Sequence, residues 1–305
     1  MRILISGSHG LVGTPLVDRF RTGGRDVVRL VRQRVAGDDS SVSWDPVRGT
    51  IDRPSLDGLD AVVHLAGENI ATRRWTFAQK TRIRDSRVNG TRLLAETLAA
   101  QNHPPRVLIC ASAIGYYGDR VNEELDERSA CGCGFLAEVC REWEAACEPA
   151  AAAGIRVVPI RFGMILTADG GALRKMLPPF RLGLGGIVGS GRQYWSWITR
   201  DDVLGIIEHV IQDDQLAGPV NGTSPDPVTN HQFTKALGRV LHRPTLFPMP
   251  AFAARLILGG MADELLLASA RVLPQRLLET GYEFRHRSLN EALTDILNRR
   301  DKTQS

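Results

Sequence analysis

A run of glycines directly after the first apolar stretch constrains this chain more than any other feature. Ile3-Leu4-Ile5 leads into Gly7-Ser8-His9-Gly10-Leu11-Val12-Gly13, and an amphipathic segment follows as far as Thr22. A buried strand that ends in such a turn and enters a helix is the opening of a βαβ unit shaped to hold a dinucleotide. Gly7 permits the tight turn, Gly10 lets backbone approach a pyrophosphate with no Cβ between them, and Gly13 lets the helix lie close on the strand. The helix N-terminus adds unpaired N–H groups and the positive end of its dipole. The glycine spacing is G-x-x-G-x-x-G rather than G-x-G-x-x-G. An ordinary strand-to-helix turn is the plain alternative; the placement between a good strand and an amphipathic helix argues against it.

Downstream, β-branched apolar runs alternate with helical stretches. Strands are expected at Arg2–Ser6, Asp26–Val31, Asp60–Leu65, Arg106–Ala111 and Arg156–Phe162, with a short one near Ser43-Trp44. Helices are expected at 11–22, 76–101 and 135–153, then at 201–212, 230–241, 250–258 and 289–299, and Pro219–Asn221 adds a late strand. Near-continuous apolar strands separated by helices predict an α/β fold, a Rossmann-type doubly wound parallel sheet covered on both faces. After Thr167 the texture changes to glycine-rich loops and then helices. This divides the chain into residues 1–224, a nucleotide-binding domain whose 170–200 stretch reaches toward a substrate site, and residues 225–305, a smaller and mostly helical domain.

Composition excludes several classes. The 305 residues hold 38 basic and 34 acidic side chains, a formal charge of +4, and 43% hydrophobic residues. The basic residues are dispersed apart from pairs such as Arg73-Arg74 and Arg299-Arg300, so no nucleic-acid partner is expected. Met1 and Arg2 run straight into the first strand with no secretory signal. The apolar stretch 251–268 is broken by Arg255, Asp263 and Glu264, so no membrane partner is expected either. Five cysteines suit a reducing cytoplasm. Cys131, Cys133, Cys140 and Cys147 fit no common zinc spacing, and Cys140 and Cys147 are expected to share one helix face; no metal is expected.

The residue closing the second strand discriminates NAD from NADP, a carboxylate accepting the ribose hydroxyls and a basic residue suiting the 2′-phosphate. Here the strand ends Leu30-Val31-Arg32, with Arg34 nearby and no acid until Asp38, which points to NADP(H). The strand ending His64-Leu65-Ala66-Gly67 presents small residues that leave room for ribose and pyrophosphate. His64, inside an apolar strand, reads as a packed histidine rather than a base.

The Gly7–Gly13 turn, His64-Leu65-Ala66-Gly67 and Ser112-Ala113-Ile114-Gly115-Tyr116-Tyr117-Gly118 together resemble the extended, epimerase-like branch of the short-chain dehydrogenase/reductases. Glu68-Asn69-Ile70, Arg73-Arg74-Trp75-Thr76, Met176 to Gly186 and Gly189-Ser190-Gly191-Arg192-Gln193 narrow the likeness to an atypical "epimerase family" group, also described as SulA-like. The resemblance implies NADP(H) contacts at Gly7, Ser8, Gly10, Leu11, Val12, Gly13, Val31, Arg32, Leu65, Ala66, Arg87 and Ile165. It also brings an expectation that this sequence breaks. Hydride chemistry in these proteins uses a Tyr-x-x-x-Lys pair, in which the lysine lowers the phenol pKa so that it exchanges a proton with substrate. No such pair occurs, and the expected place reads Phe135-Leu136-Ala137-Glu138-Val139.

Three residues are candidates for the missing donor: Ser112 at a strand end, Tyr117 (with Tyr116 as its neighbour) just beyond that end, and Glu68 after the strand that closes at His64. Asp201 and Asp202 read as helix N-terminal residues favoured by the dipole. The Leu182–Gly191 loop and Tyr194-Trp195-Ser196-Trp197 either line a substrate pocket or seal a domain interface. In the pocket case Arg181 and Arg192 favour an anionic or sugar-nucleotide ligand. Two functions remain open: an NADP(H)-dependent oxidoreductase or epimerase-like enzyme acting on a small molecule, and a non-catalytic cofactor-loaded sensor or interaction protein linked to cell division.

Overall fold

The computed structural model describes residues 1–34, 37–38 and 40–303, with side chains described as far as 298. The side chains of Arg299-Arg300 and residues 304–305 lie outside the described residues. The central feature is a sheet of eight strands. In chain order these are β1 (Arg2–Ser6), β2 (Asp26–Val31), β3 (Ser41–Asp45), β4 (Thr50–Ile51), β5 (Ala61–His64), β6 (Val107–Ala113), β7 (Arg156–Phe162) and β8 (Val220–Gly222). Their spatial order is β8-β7-β6-β5-β1-β2-β3-β4. β1 runs parallel to both β2 and β5, β2 parallel to β3, and β5 parallel to β6, while β4 folds back antiparallel on β3 at the edge. The order reverses beside β1, the switch point at which open α/β sheets bind ligands.

Two details of the expected layout change. Short β4 was not foreseen; its two residues carry too little pattern to stand out from the surrounding loop. The stretch expected as one helix over 135–153 is two, α3 (Phe135–Ala145) and α4 (Glu148–Ala152), after α1 (Gly13–Thr22) and α2 (Phe77–Ala99). Pro149 lies in the first turn of α4 and has no N–H to continue α3. Cys140 and Cys147 therefore do not share one helix face; Cys147 precedes α4 as its N-cap. All five cysteines are free thiols, and no metal-ligating cluster occurs among the described residues.

By contact the chain forms two compact units, neither a single run of sequence. The first gathers Met1–Ser112, Glu138–Ile160 and Ile206–Val220; the second gathers Ala113–Ala137, Arg161–Gly205 and Asn221–Ser305. In the first, Ile3, Leu4, Ile5, Val62, Val63, Leu108 and Ile109 are fully buried, which is why these strands read as unbroken apolar runs. Leu16, Val17 and Phe20 supply the buried stripe of α1 at helical spacing. The second unit holds α5 (Gly171–Arg181), α7 (Asn230–Val240), α8 (Ala251–Leu258), α9 (Gln275–Glu279) and α10 (Leu289–Thr303); α6 (Arg200–Gln212) spans the division. Its core contains Phe180, Trp195, Trp197, Phe233 and Leu237. The Trp indole N–H groups donate to the carbonyls of Leu266 (3.3 Å) and Asp226 (2.8 Å). Trp195, Ser196 and Trp197 are thus buried in this unit, and among that run only Tyr194 is partly exposed.

Asp202 does more than face a helix dipole. Its buried carboxylate accepts from the Thr199 hydroxyl (2.7 Å) and the Arg285 amide (2.7 Å), and the Tyr282 hydroxyl donates to its carbonyl (3.0 Å). It ties the start of α6 to the segment before α10.

His64 is packed as expected. Its Nδ1 lies 2.7 Å from the Ser6 hydroxyl, and the ring meets Trp44 edge-on at 5.8 Å between centroids. Burial pushes its pKa down to about 4. The unfolded chain therefore binds more protons than the folded one between about pH 6.5 and 4, and stability falls as pH drops through that window, by roughly 3 kcal/mol in full. Urea unfolding at pH 7 and pH 4.5 should show this loss in the wild type. His64→Asn, which keeps an acceptor for Ser6, should lack that portion of it.

Candidate functional site

The turn between β1 and α1 is built from backbone brought closer than side chains allow. Gly7 has φ +66°, and a Cβ there would stand 2.8 Å from the Leu65 carbonyl carbon. A Cβ at Gly13 would stand 2.1 Å from the Gly7 carbonyl oxygen. Both glycines are required for the fold itself. Gly10 differs: only the Gly7 oxygen lies near its Cβ position, at 3.1 Å, and the rest is open. The loop is tied by Gly10 N–H to Gly7 O (2.9 Å), Thr14 N–H to Gly10 O (3.1 Å) and the Thr14 hydroxyl to Ser8 O (3.2 Å). α1 begins at Gly13, two residues later than its periodicity suggests, and no side chain caps it. The amides of Leu11, Val12 and Gly13 have no acceptor among the described residues. Three amides converging at a helix start form an anion site.

The wall beside this turn comes from β5. The Ser6 hydroxyl accepts from the Leu65 and Ala66 amides (3.0 and 3.2 Å) and is hydrogen-bonded to His64 Nδ1, so one oxygen fixes the exit of two neighbouring strands. Ser6 carried no recognisable signal in the sequence, because its task appears only once β1 and β5 are neighbours. Past it, Arg87 of α2 lies against Gly67. Its Nη1 donates to the carbonyls of Glu68 (2.9 Å) and Ile83 (3.1 Å), and the guanidinium covers the Trp143 ring at 5.0 Å. Burial lowers its pKa, yet an arginine keeps its charge. No carboxylate is paired with it among the described residues. Glu68 is half-buried, its amide held by the Ser86 hydroxyl at 3.0 Å.

At the end of β2, Val31 is buried and Arg32 is exposed with no partner among the described residues. The nearest acid is already occupied: Asp38 accepts from the Ser40 hydroxyl (2.6 Å) and from Arg29 (2.5 Å), which hold its carboxyl at about 2. Ile165 lies in a short strand, Met164–Leu166, paired in parallel with Trp197–Thr199.

Two candidate donors are placed where a proton cannot be exchanged readily. Ser112 is buried, and its hydroxyl donates to Glu144 of α3 at 2.6 Å. Glu144 was not singled out by its pattern, since a carboxylate beside a tryptophan on a helix has no spacing that marks it. Tyr117 is fully buried in the second unit. Its hydroxyl lies 2.7 Å from Asn221 Oδ1 and 2.9 Å from Asp126 O, and it accepts from Arg161 at 3.0 Å. Burial drives its pKa up to about 12 against the opposing pull of Arg161. Tyr117 is thus a buried phenol whose hydroxyl is engaged on three sides, an arrangement that argues against a substitute acid. Tyr116 lies under the Arg161 guanidinium at 3.4 Å.

Residues 3–221 match the NAD dependent epimerase/dehydratase family, and residues 249–296 match a domain of unknown function, DUF1731. The chain belongs to the NAD dependent epimerase/dehydratase family. It is 43% identical over 291 residues to the epimerase family protein MT2273 of Mycobacterium tuberculosis, covering 95% of this chain and 96% of that one. The crystal structure of human epimerase family protein SDR39U1 with NADPH superposes with a TM-score of 0.90 at 33% identity, over 98% of this chain and 99% of that one. A nucleoside-diphosphate sugar epimerase from Corynebacterium glutamicum gives 0.80 at 38% identity, this chain spanning 60% of its length. These likenesses support reading this epimerase-family protein as an atypical extended short-chain dehydrogenase/reductase.

Replacing Tyr117 by Phe should cost about 1–3 kcal/mol, because Asn221 and Arg161 lose a buried partner. A lower melting temperature with unchanged dinucleotide affinity is the expected result. A selective loss of turnover at unchanged stability would restore the catalytic role.

Proposed function

We propose that this epimerase-family protein binds NADP(H) on the Gly7–Gly13 turn and is an atypical oxidoreductase or epimerase-like enzyme acting on a small molecule. The observation that carries this is the start of α1, where three amides have no acceptor among the described residues and Gly10 faces open space. The residues present fit a dinucleotide. The amides of Leu11, Val12 and Gly13 receive pyrophosphate charge, and Ser8 belongs to the same turn. Leu65 and Ala66, locked by Ser6, leave a backbone edge without bulk. Arg87 contributes a positive charge that forms no ion pair among the described residues, and Arg32 offers a guanidinium that has no partner among them for a 2′-phosphate. Ile165 is assigned to the cofactor on the family resemblance. The human relative crystallised with NADPH supports the same choice. The nicotinamide, when bound, supplies hydride transfer.

Proton exchange then falls to Glu68, the remaining member of the three candidates. Ser112 is a positioning hydroxyl, turned to Glu144, and Tyr117 is spent in its own network. Glu68 is half-buried, and Arg87 below it donates to its carbonyl, which fixes its backbone. Five free thiols suit work in a reducing compartment such as the cytoplasm. The locking of both hydroxyls favours a second reading, an NADP(H)-loaded sensor or interaction protein without turnover, with cell division as the process its family likeness suggests.

Arg32→Ala should weaken NADPH about tenfold, the worth of one charge-assisted hydrogen bond, and leave NADH nearly unchanged. Titration by nucleotide fluorescence measures both; equal losses would remove Arg32 from the site. For the chemistry, oxidation of NADPH is followed at its absorbance band against a panel of carbonyl compounds and sugar nucleotides. Glu68→Gln should lower turnover about a hundredfold while NADPH affinity holds. Tight NADPH binding with no turnover by the wild type across the panel would replace the enzyme reading with the sensor.

A further inference from the structure

Helix α8 presents the opposite side from the one a helix normally shows to water. In Ala251–Leu258 the buried residue is Ala254, while Phe252 and Leu256 are 72% and 76% exposed and Ile257 is exposed beside them. At about 100° per residue, Phe252, Leu256, Ala253 and Ile257 fall on one continuous arc. A helix that serves only its own core keeps its large apolar residues inside. The segment before it extends the pattern, since Leu246 and Phe247 are also exposed. That segment is fastened alongside the loop after α5 through Met249 N–H to Ile187 O (2.8 Å) and Gly189 N–H to Met249 O (2.9 Å). Leu182 and Leu184, where that loop leaves α5, are exposed as well. Single exposed leucines are ordinary, but this gathering on adjoining segments of one unit is not.

The charges around it are of one sign. Residues 170–200 contain Arg174, Lys175, Arg181, Arg192 and Arg200 and no aspartate or glutamate. Residues 227–262 contain Lys235, Arg239, Arg243 and Arg255 and again no acid. In a chain with 34 acidic residues against 38 basic ones, two such runs joined by Arg243 Nε to Arg181 O (2.9 Å) and Met249 N–H to Ile187 O (2.8 Å) are a concentrated departure. Arg200 and Arg255 are neutralised at the edges by Asp169 and Asp263. Arg181, Arg192 and Arg239 are exposed and without an ion pair among the described residues.

We propose that this face docks on the surface of an anionic phospholipid bilayer. Phe252, Leu256 and Ile257 enter the acyl boundary, and Arg181 and Arg239 meet the phosphates of the headgroups. The charge pattern selects this occupant over a second copy, because a two-fold contact sets a patch against itself and would oppose cation to cation. No helix is long and apolar enough to cross a membrane among the described residues, and none is needed, since α8 lies along the surface. The expectation of no membrane partner came from spanning segments, which have no bearing on a helix lying flat.

The test is co-sedimentation of the full chain with vesicles of pure phosphatidylcholine and with vesicles that also contain phosphatidylglycerol. Binding should require phosphatidylglycerol and weaken as salt rises. Phe252→Glu and Leu256→Glu should each lower partitioning roughly tenfold. The double variant R181E/R239E should lose the preference for the anionic vesicles. All should keep the wild-type melting temperature and NADPH affinity, since the substituted side chains face water. No sedimentation with either lipid, equal binding to both, or unaltered binding by Leu256→Glu would overturn the proposal. A concentration-dependent dimer in sedimentation velocity, broken by Leu256→Glu with no lipid binding, would assign the face to a second copy instead.

Discussion

The approach of three stretches of backbone at the end of β1 is the constraint on which the rest depends. Gly13 lies where any Cβ would collide with the Gly7 carbonyl, and Gly7 lies where a Cβ would collide with Leu65. Those two collisions avoided set α1 on β1 and β1 on β5 at one point. The Ser6 oxygen completes the junction by holding the amides that follow β5. No side chain caps the start of α1, so the amides of Leu11, Val12 and Gly13 keep no acceptor among the described residues. What looks like a ligand site is first a packing solution, and the ligand completes hydrogen bonding that the protein leaves undone.

Charge is distributed by the same economy of partners. Carboxylates near the sheet's carboxyl end are engaged elsewhere: Asp38 with Ser40 and Arg29, Glu144 with Ser112. The cations there are less committed, Arg32 being exposed and Arg87 donating only to carbonyls. Such an arrangement holds a positive potential in place, at a desolvation cost that Arg87 carries and exposed Arg32 does not. A phosphorylated ribose and a pyrophosphate are the complementary charges, which is why the geometry and the strand-end rule lead to the same cofactor.

The sheet, its switch point and the glycine turn were legible because each depends on local pattern: an apolar run, a glycine at fixed spacing, a helix of regular period. Where the reading failed, the cause was a partner distant in sequence. Tyr117 looked available beyond a strand end, yet Asn221 and Arg161 come from other strands to occupy its hydroxyl. Trp195 and Trp197 looked like loop aromatics until α5, α7 and α10 closed around them. Asp202 is the helix-start acid that its position implies, and the fold adds Arg285 and Tyr282 to it. The break between α3 and α4 was a different failure, since Pro149 was in plain view and its missing N–H decides the matter without any tertiary contact. Among the cofactor positions, Gly7, Gly10 and Gly13 could be argued from the residues themselves, whereas Arg87 and Ile165 rested on family resemblance.

The lost tyrosine–lysine pair changes what the remaining hydroxyls can be. In a site with that pair, a lysine charge lowers a phenol toward neutrality; here Arg161 is the cation beside the buried phenol, and burial overcomes it, pushing Tyr117 up to about 12. A phenol at that value holds its proton throughout the physiological range, so it serves as a hydrogen-bond junction and nothing more. Ser112 meets a similar fate by a different route, since a hydroxyl already donating to Glu144 has no proton to offer a substrate without first breaking that bond. Under the proposed enzyme reading, the third candidate, half-buried Glu68, is the one whose side chain is not enclosed in such a network. The chemistry proposed for Glu68 follows from what the fold has done to the alternatives.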